Sequence, residues 1–388
     1  MFRELRGALF LAVLRCGRGE RREGPRASKA ELRLQEEQGD TVCGNPEWAY
    51  PIDECEYSGQ GDSSWGSRRR KHSVPQASCE AESAFPWCNS SRTAEERAQQ
   101  LAREMNWTEL AQQISCDIFE GVPAIQRLRV QPYNYIRENG HGLLLNDVCP
   151  VPTVFPQALT MAASFNRSLW SAVGEASAVE TRYNYHAGKQ DSLITQTNFN
   201  IFLDPRWGRG QEVPGEDPYV NTAYARAWIA GVQAHKGPGG APLAGTSCKH
   251  LAAYSFEGAG GWPRPLRNSN RHNFNAKVSP QDMADTHLPM FRGCAASGAM
   301  GVMTSYNAIN GVPSCANREL VDDLARKSWG FNGMSVTDCG AVSDLWLLRR
   351  HVPNGTAAAW AALHGGTDVE CGSTVKEHAV PEMAELMR

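Results

Sequence analysis

The densest group of chemistry-bearing side chains lies at residues 198–218, NFNIFLDPRWGRGQEVPGEDP, where Asp204, Arg206, Arg209, Glu212, Glu216 and Asp217 stand among prolines and glycines. Charges this close are expensive to desolvate unless they pair with one another or meet a polar ligand. Two arrangements meet that requirement: an ion-pair knot bracing a long loop, or a binding site carried on one. Met334-Ser-Val-Thr-Asp338 is a short apolar strand pattern delivering one carboxylate at its end. Such an aspartate either caps the next helix or acts as a nucleophile. Cys248-Lys249-His250 sets an ammonium, with three donors, beside an imidazole that donates or accepts. Lys249 is otherwise a surface residue or a Schiff-base lysine, for which the sequence offers no identifiable acid–base partner. Tyr306, in Met303-Thr-Ser-Tyr-Asn, is either a site tyrosine or a buried one that satisfies its own hydroxyl.

Side chains so far apart in sequence meet only if a framework gathers strand ends. Apolar runs predict strands at 143–146, 199–203, 243–248, 301–305, 334–337 and 367–370, and helical periodicity predicts helices over 93–114, 167–185, 219–233 and 280–297. Thr93 or Ser91 can cap the first helix, with Glu95 and Glu96 in its first turn; Ser279, Pro280 and Asp282 suit the start of the last, and Gly298 its end. Alternation of strand and helix predicts a parallel sheet covered by helices. Polar residues recur where the strands end: Asp204 with Arg209, Lys249 with His250, Tyr306 with Asn307, and Asp338. Convergence of several strand ends favours a closed barrel. An open doubly wound sheet would call for a Gly-rich phosphate loop, which the sequence lacks.

At 388 residues and 41% hydrophobic side chains, the chain can bury one large core. A net charge of -3 leaves no global attraction to nucleic acid or to an anionic membrane. Twelve cysteines occur without a C-x-x-C pair, and H-E-x-x-H is absent, which favours disulfides over zinc. With sequons at Asn89, Asn106, Asn166 and Asn354, they predict an extracellular or secretory-pathway protein. The apolar run at 8–14, behind Arg3 and Arg6 and cut short by Arg15, reads as a weak signal sequence, with a misplaced start codon as its rival. No run of about 18 apolar residues predicts a membrane span. The organisation reads as a charged lead at 1–40, a Cys-rich extension at 41–90 that carries the basic run Arg68 to Lys71, and one main domain at 91–388.

The motif DPRWGRGQEVPGEDP resembles the signature of glycoside hydrolase family 3, particularly its β-xylosidase-like and β-glucosidase-like members, and the likeness extends over roughly residues 93–372. It implies an α/β fold of the (β/α)8 TIM-barrel type and a retaining exo-β-glycosidase acting on terminal xylosyl, arabinosyl or glucosyl residues of oligosaccharides or aryl and alkyl glycosides. No metal or organic cofactor is implied. Asp338 matches the family nucleophile, held ionised by nearby Lys and Arg, with Thr337 where serine is usual. Lys249, His250 and Arg209 match sugar-binding positions, whereas Arg206 and Asp204 brace the loop. Glu138 matches an acid that accepts sugar hydroxyls, but Tyr135 and Ile136 stand where relatives carry paired tryptophans. Tyr306 matches a residue that bonds Asp338 or the sugar. By the same likeness Cys294 pairs with Cys315, while Asp368 and Glu370 look site-like without an assignable role. The family's general acid comes from an α/β domain after the barrel, which this sequence does not include, so the alternative is a non-catalytic or impaired sugar-binding barrel.

Overall fold

The computed structural model describes residues 85–89, 91–118, 120–144, 152–237, 240–258 and 269–379. The charged lead and almost all of the Cys-rich extension therefore lie outside the described residues. Helix α1 (Ala94–Glu104) begins at Thr93, whose hydroxyl accepts from Glu96 N while the Glu96 carboxylate accepts from Thr93 N, a reciprocal cap. The expected single helix over 93–114 is two: Asn106 and Glu109 make a second reciprocal cap that starts α2 (Trp107–Gln113). Trp87, Leu101 and Leu128 pack these helices into a cluster of their own.

Strand β1 (Ser115–Cys116) is followed by helix α3 (Arg167–His186), strand β2 (Ile194–Asn198), helix α4 (Pro218–Val232) and strand β3 (Gly245–Leu251). Helix α5 (Pro289–Ala296), strand β4 (Gly301–Thr304), strand β5 (Met334–Thr337), helices α6 (Ala341–Leu347) and α7 (Gly355–His364), and strand β6 (Glu370–Cys371) complete the order. Between β4 and β5 the chain makes a small hairpin and a π-helical segment, Glu319–Ser328. Parallel pairing passes from Glu138 to β2, β3, β4 and β5, then from Val336 to Val369, and from β6 to β1. This is an α/β fold of parallel strands.

Three expected elements fall differently. The strand predicted at 199–203 lies earlier, at Ile194–Asn198, a wholly buried ITQTN segment. Its polar side chains bond inside the sheet: Gln196 Nε2 donates to Tyr135 O at 2.9 Å and Thr197 to Asn139 O at 3.1 Å, although Gln196 Oε1 has no partner among the described residues. At 143–144 there is no strand, and 145–146 lie outside the described residues; the chain pairs instead through Glu138. The helix predicted over 280–297 is interrupted at Pro289, which has no N–H to continue the ladder, so Pro280–Asp282, a π-turn at Met283–His287 and α5 follow one another.

Alternation along the strands divides two faces. Ile194, Met303, Met334 and Val336 join Tyr135 and Val369 on one face, whereas Cys248 and Val302 meet Trp228, Met290 and Phe291 on the helix-covered face. That alternation corrects the expected disulfide. Cys248 on the helix-covered face meets Cys294 of α5, with Cα atoms 6.6 Å apart, and bonds it. Cys315 is a buried free thiol pointed at Ala341 O. A second disulfide, Cys339–Cys371, ties the exit of β5 to β6.

Candidate active site

Asn198, Lys249, Met303 and Val336 occupy one register row across β2, β3, β4 and β5. Asp338 lies two residues beyond Val336 and so turns to the same face. Its backbone N–H donates to Thr304 O at 3.1 Å, and Cys339 N–H donates to Asp338 Oδ1 at 2.9 Å. Oδ2 is buried and no hydrogen bond reaches it among the described residues. Burial raises the Asp338 carboxyl above the ordinary aspartate range, outweighing the opposite pull of Arg209, Lys249, the Cys339 N–H and Arg271. The expected cations Arg209 and Lys249 do favour the charged form, as does Arg271, but they act against the desolvation of a residue that is only 8% exposed.

The other expected site residues gather round it. Lys249, 3% exposed, forms an ion pair with Glu138, whose side chain is 42% exposed. The Lys249–His250 peptide is cis, and His250 Nε2 stands 3.5 Å from Asp338 Oδ2. Burial, then the charges of Arg209, Lys249 and Arg271, hold His250 well below the ordinary histidine pKa, so the ring is neutral. Arg209 forks onto Glu212, Nε to Oε1 at 3.0 Å and Nη2 to Oε2 at 2.7 Å, and its Nη1 lies 3.4 Å from His250 Nε2. Tyr306 is buried and donates its hydroxyl to Cys339 O at 2.8 Å rather than to Asp338. It supports the turn behind the carboxylate.

Some sequence candidates lie apart from this pocket. Arg206 and Asp204 pair with each other on the exposed loop, which pulls Asp204 down to about 2. Asp217 caps α4 through Tyr219 N and Val220 N. Tyr135 and Ile136 are buried in the strand cluster, Tyr135 with its ring edge-on to Tyr133, so neither offers a face to a sugar. Asp368 accepts from Ser335 N at 2.8 Å and pairs with Arg326; Glu370 accepts from Thr374 N at 3.0 Å and Val375 N at 2.6 Å, the start of the last helical turn. Both are scaffold carboxylates.

Five participants escaped the sequence reading. Glu212 was visible in the charged loop but carried no role; it orients Arg209. Asn200 holds His250 through three hydrogen bonds. Glu257 accepts from Tyr254 at 2.9 Å, Trp207 Nε1 at 3.0 Å and Arg271 Nη1 at 3.0 Å. Tyr254 presents its ring to Arg209 at 5.7 Å, and Arg271 covers the Tyr306 ring at 4.9 Å. Arg271 is the third cation acting on Asp338. Among the described residues, no three His, Cys, Asp or Glu side chains are placed to hold a metal.

A buried carboxylate at a strand end, ringed by paired cations and a neutral imidazole, is chemistry for polar, hydroxyl-rich ligands. Residues 137–386 match the model of the glycosyl hydrolase family 3 N-terminal domain. The chain belongs to glycosyl hydrolase family 3. It is 35% identical over 336 residues to a probable beta-D-xylosidase 6 of Arabidopsis thaliana, covering 79% of this chain and 41% of that one. Over 305 residues it is 33% identical to a beta-xylosidase/alpha-L-arabinofuranosidase 1 of Medicago sativa subsp. varia, covering 76% and 38%. A solved GH3 exo-beta-xylosidase bound to a xylobiose aziridine activity-based probe superposes with a TM-score of 0.70 at 27% identity, covering 78% of this chain and 39% of that one. A solved β-glucosidase from Erythrobacter marinus gives 0.63 at 26%. The chain thus spans about two fifths of the length of the curated relatives it matches.

Proposed function

We propose that this family 3 chain is the nucleophile-bearing part of a retaining exo-β-glycosidase for terminal β-D-xylosyl or related arabinosyl and glucosyl residues, built as a (β/α)8 barrel. Asp338 attacks the anomeric carbon as the glycosidic bond breaks and the leaving oxygen takes a proton from a general acid, which in this family comes from the domain after the barrel; water then attacks the anomeric carbon of the glycosyl-aspartate, freeing the Asp338 carboxylate and the sugar with retained configuration. The observation that carries this reading is Asp338 itself, with Oδ1 fixed by Cys339 N–H and Oδ2 left open beside His250. Arg209, Lys249, Glu138 and the His250 ring hold sugar hydroxyls, and Tyr306 keeps the nucleophile's turn in place. The disulfides Cys248–Cys294 and Cys339–Cys371 support an oxidising, secretory compartment. Among the described residues no helix is long and apolar enough to cross a membrane.

One observation favours a second reading, a barrel that binds sugar with little turnover. The other carboxylates named around the pocket are each held by a cation: Glu138 by Lys249, Glu212 by Arg209 and Glu257 by Arg271. None is poised to donate a proton to a leaving oxygen. Mass spectrometry after exposure to 2,4-dinitrophenyl 2-deoxy-2-fluoro-β-xyloside, or the glucoside, separates the two, since that leaving group needs little protonation. A single glycosyl adduct on Asp338 supports the nucleophile; a folded chain that binds the sugar but gains no adduct supports the binding barrel.

A further inference from the structure

We infer that Asn200 fixes the tautomer of His250, so that Nε2 meets the ligand as a hydrogen-bond acceptor. The side-chain amide of Asn200 faces three groups of one residue. Its Nδ2 lies 2.7 Å from His250 O, and its Oδ1 lies 2.9 Å from His250 N and 3.0 Å from His250 Nδ1. A backbone carbonyl only accepts and a backbone N–H only donates, so the amide orientation is determined: the NH2 must face the carbonyl and the oxygen must face the N–H. An oxygen already placed there can only accept from Nδ1. The proton of the neutral ring is therefore on Nδ1, and Nε2 carries the lone pair.

Asn200 is itself fixed. Its N–H donates to Asn198 Oδ1 at 3.1 Å and its carbonyl accepts from Asn221 Nδ2 at 3.0 Å, and both Asn200 and Asn221 are buried. On the open side, Nε2 faces Arg209 Nη1 at 3.4 Å and Asp338 Oδ2 at 3.5 Å, with the Tyr254 ring 4.8 Å from the imidazole. Lys249 and Arg271 add positive charge to its surroundings. The adjacent pair then reads a pattern: Lys249 only donates and His250 Nε2 only accepts. Of two vicinal hydroxyls, the one at His250 must donate its proton and the one at Lys249 must accept. This deepens the sugar-binding reading and, in its ligand half, rests on it; the tautomer half does not.

The test is 15N NMR of the full chain labelled at histidine, with the His250 signals among its ten histidines assigned by their loss in His250→Gln. The expected result is a pyrrole-type Nδ1 and a pyridine-type Nε2, unchanged over about pH 5 to 8. A pyrrole-type Nε2, or an imidazolium in that range, overturns the inference. Asn200→Ala, if folded, should show mixed tautomers and lose about 10- to 100-fold in cleavage of a 2,4-dinitrophenyl glycoside. Asn200→Asp keeps the acceptor and adds a charge, so its ring should stay protonated on Nδ1 and titrate at higher pH, adding an ionisation to the kcat/KM profile. A merely structural Asn200 would leave the ring state unchanged in both variants. Adding D-xylose or D-glucose should move the Nε2 signal; no movement with the tautomer as inferred would refute the acceptor role and place the failure in the sugar reading.

Discussion

Replacing Asp338 by asparagine should stabilise the protein while removing the proposed nucleophile. Oδ2 is buried without a hydrogen-bond partner, a condition that costs about 1–3 kcal/mol. In Asp338→Asn the amide NH2 can take that place and donate toward the His250 Nε2 lone pair, where 3.5 Å now separates the two atoms. Removing the charge strands no cation, because Arg209 keeps Glu212, Lys249 keeps Glu138 and Arg271 keeps Glu257. The net gain at pH 7 should be about 1–2 kcal/mol, or roughly 2–8 °C in Tm for a domain of this size. Its pH dependence follows from the raised folded pKa of Asp338. Between the ordinary aspartate value and the folded one, the native state keeps a proton that the unfolded chain has lost. Wild-type stability therefore falls as pH rises through that window and levels off above it. The asparagine variant lacks this loss. Its advantage should be small at acid pH, grow across the window and then stay constant, as read by calorimetry from about pH 4 to 8. Contributions from Asp368 and Glu370, also raised by burial, cancel in the difference. A variant less stable at pH 7, or an advantage that does not change with pH, would refute the reasoning.

Glu212→Gln should cut kcat/KM by about 100-fold, because breaking a partly buried ion pair frees Arg209 to turn from the pocket at a cost of about 3 kcal/mol; an unchanged rate would separate Glu212 from the site. Tyr306→Phe loses the bond to Cys339 O and should lower kcat about tenfold with little change in KM, and a change confined to KM would instead put the hydroxyl on the sugar. Replacing Cys339 and Cys371 by serine opens a 32-residue closure and should cost about 3–4 kcal/mol, seen in denaturant melts. The sequon asparagines Asn106, Asn166 and Asn354 are exposed and use only Oδ1 to cap helices, which leaves Nδ2 for a glycan. Chains secreted from a eukaryotic host should therefore lose mass on treatment with peptide N-glycosidase, and an unchanged mass would count against a secretory route.

Asp338 and Lys249 stood out in the sequence beside apolar strand patterns, but their proposed roles came from likeness to the family's motifs; in the structure Asp338 follows β5 directly, whereas Lys249 lies inside β3. The caps of helices α3 and α4, at Asn166 and Asp217, appear only in the structure, but the helices themselves were legible from their periodicity. The segment ITQTN was not, because a strand buried on both faces is expected to be apolar. Its threonine, glutamine and asparagine side chains bond to carbonyls of the 135–139 stretch, and no local pattern announces partners 58 or 61 residues away.

The same blindness explains the missed site residues. Asn200, Glu257 and Arg271 act through other side chains, so their roles depend on angles and distances that spacing does not encode. The disulfide followed a similar course: likeness to relatives suggested Cys315, whereas strand alternation sent Cys248 outward to Cys294. Arg209, Lys249 and Arg271 each favour the charged form of Asp338, but each also has its own carboxylate, and burial works against them. On the function proposed above, the paired cations would fix where hydroxyls bind, and burial that makes Asp338 costly to keep charged would make it reactive toward a positively charged anomeric centre.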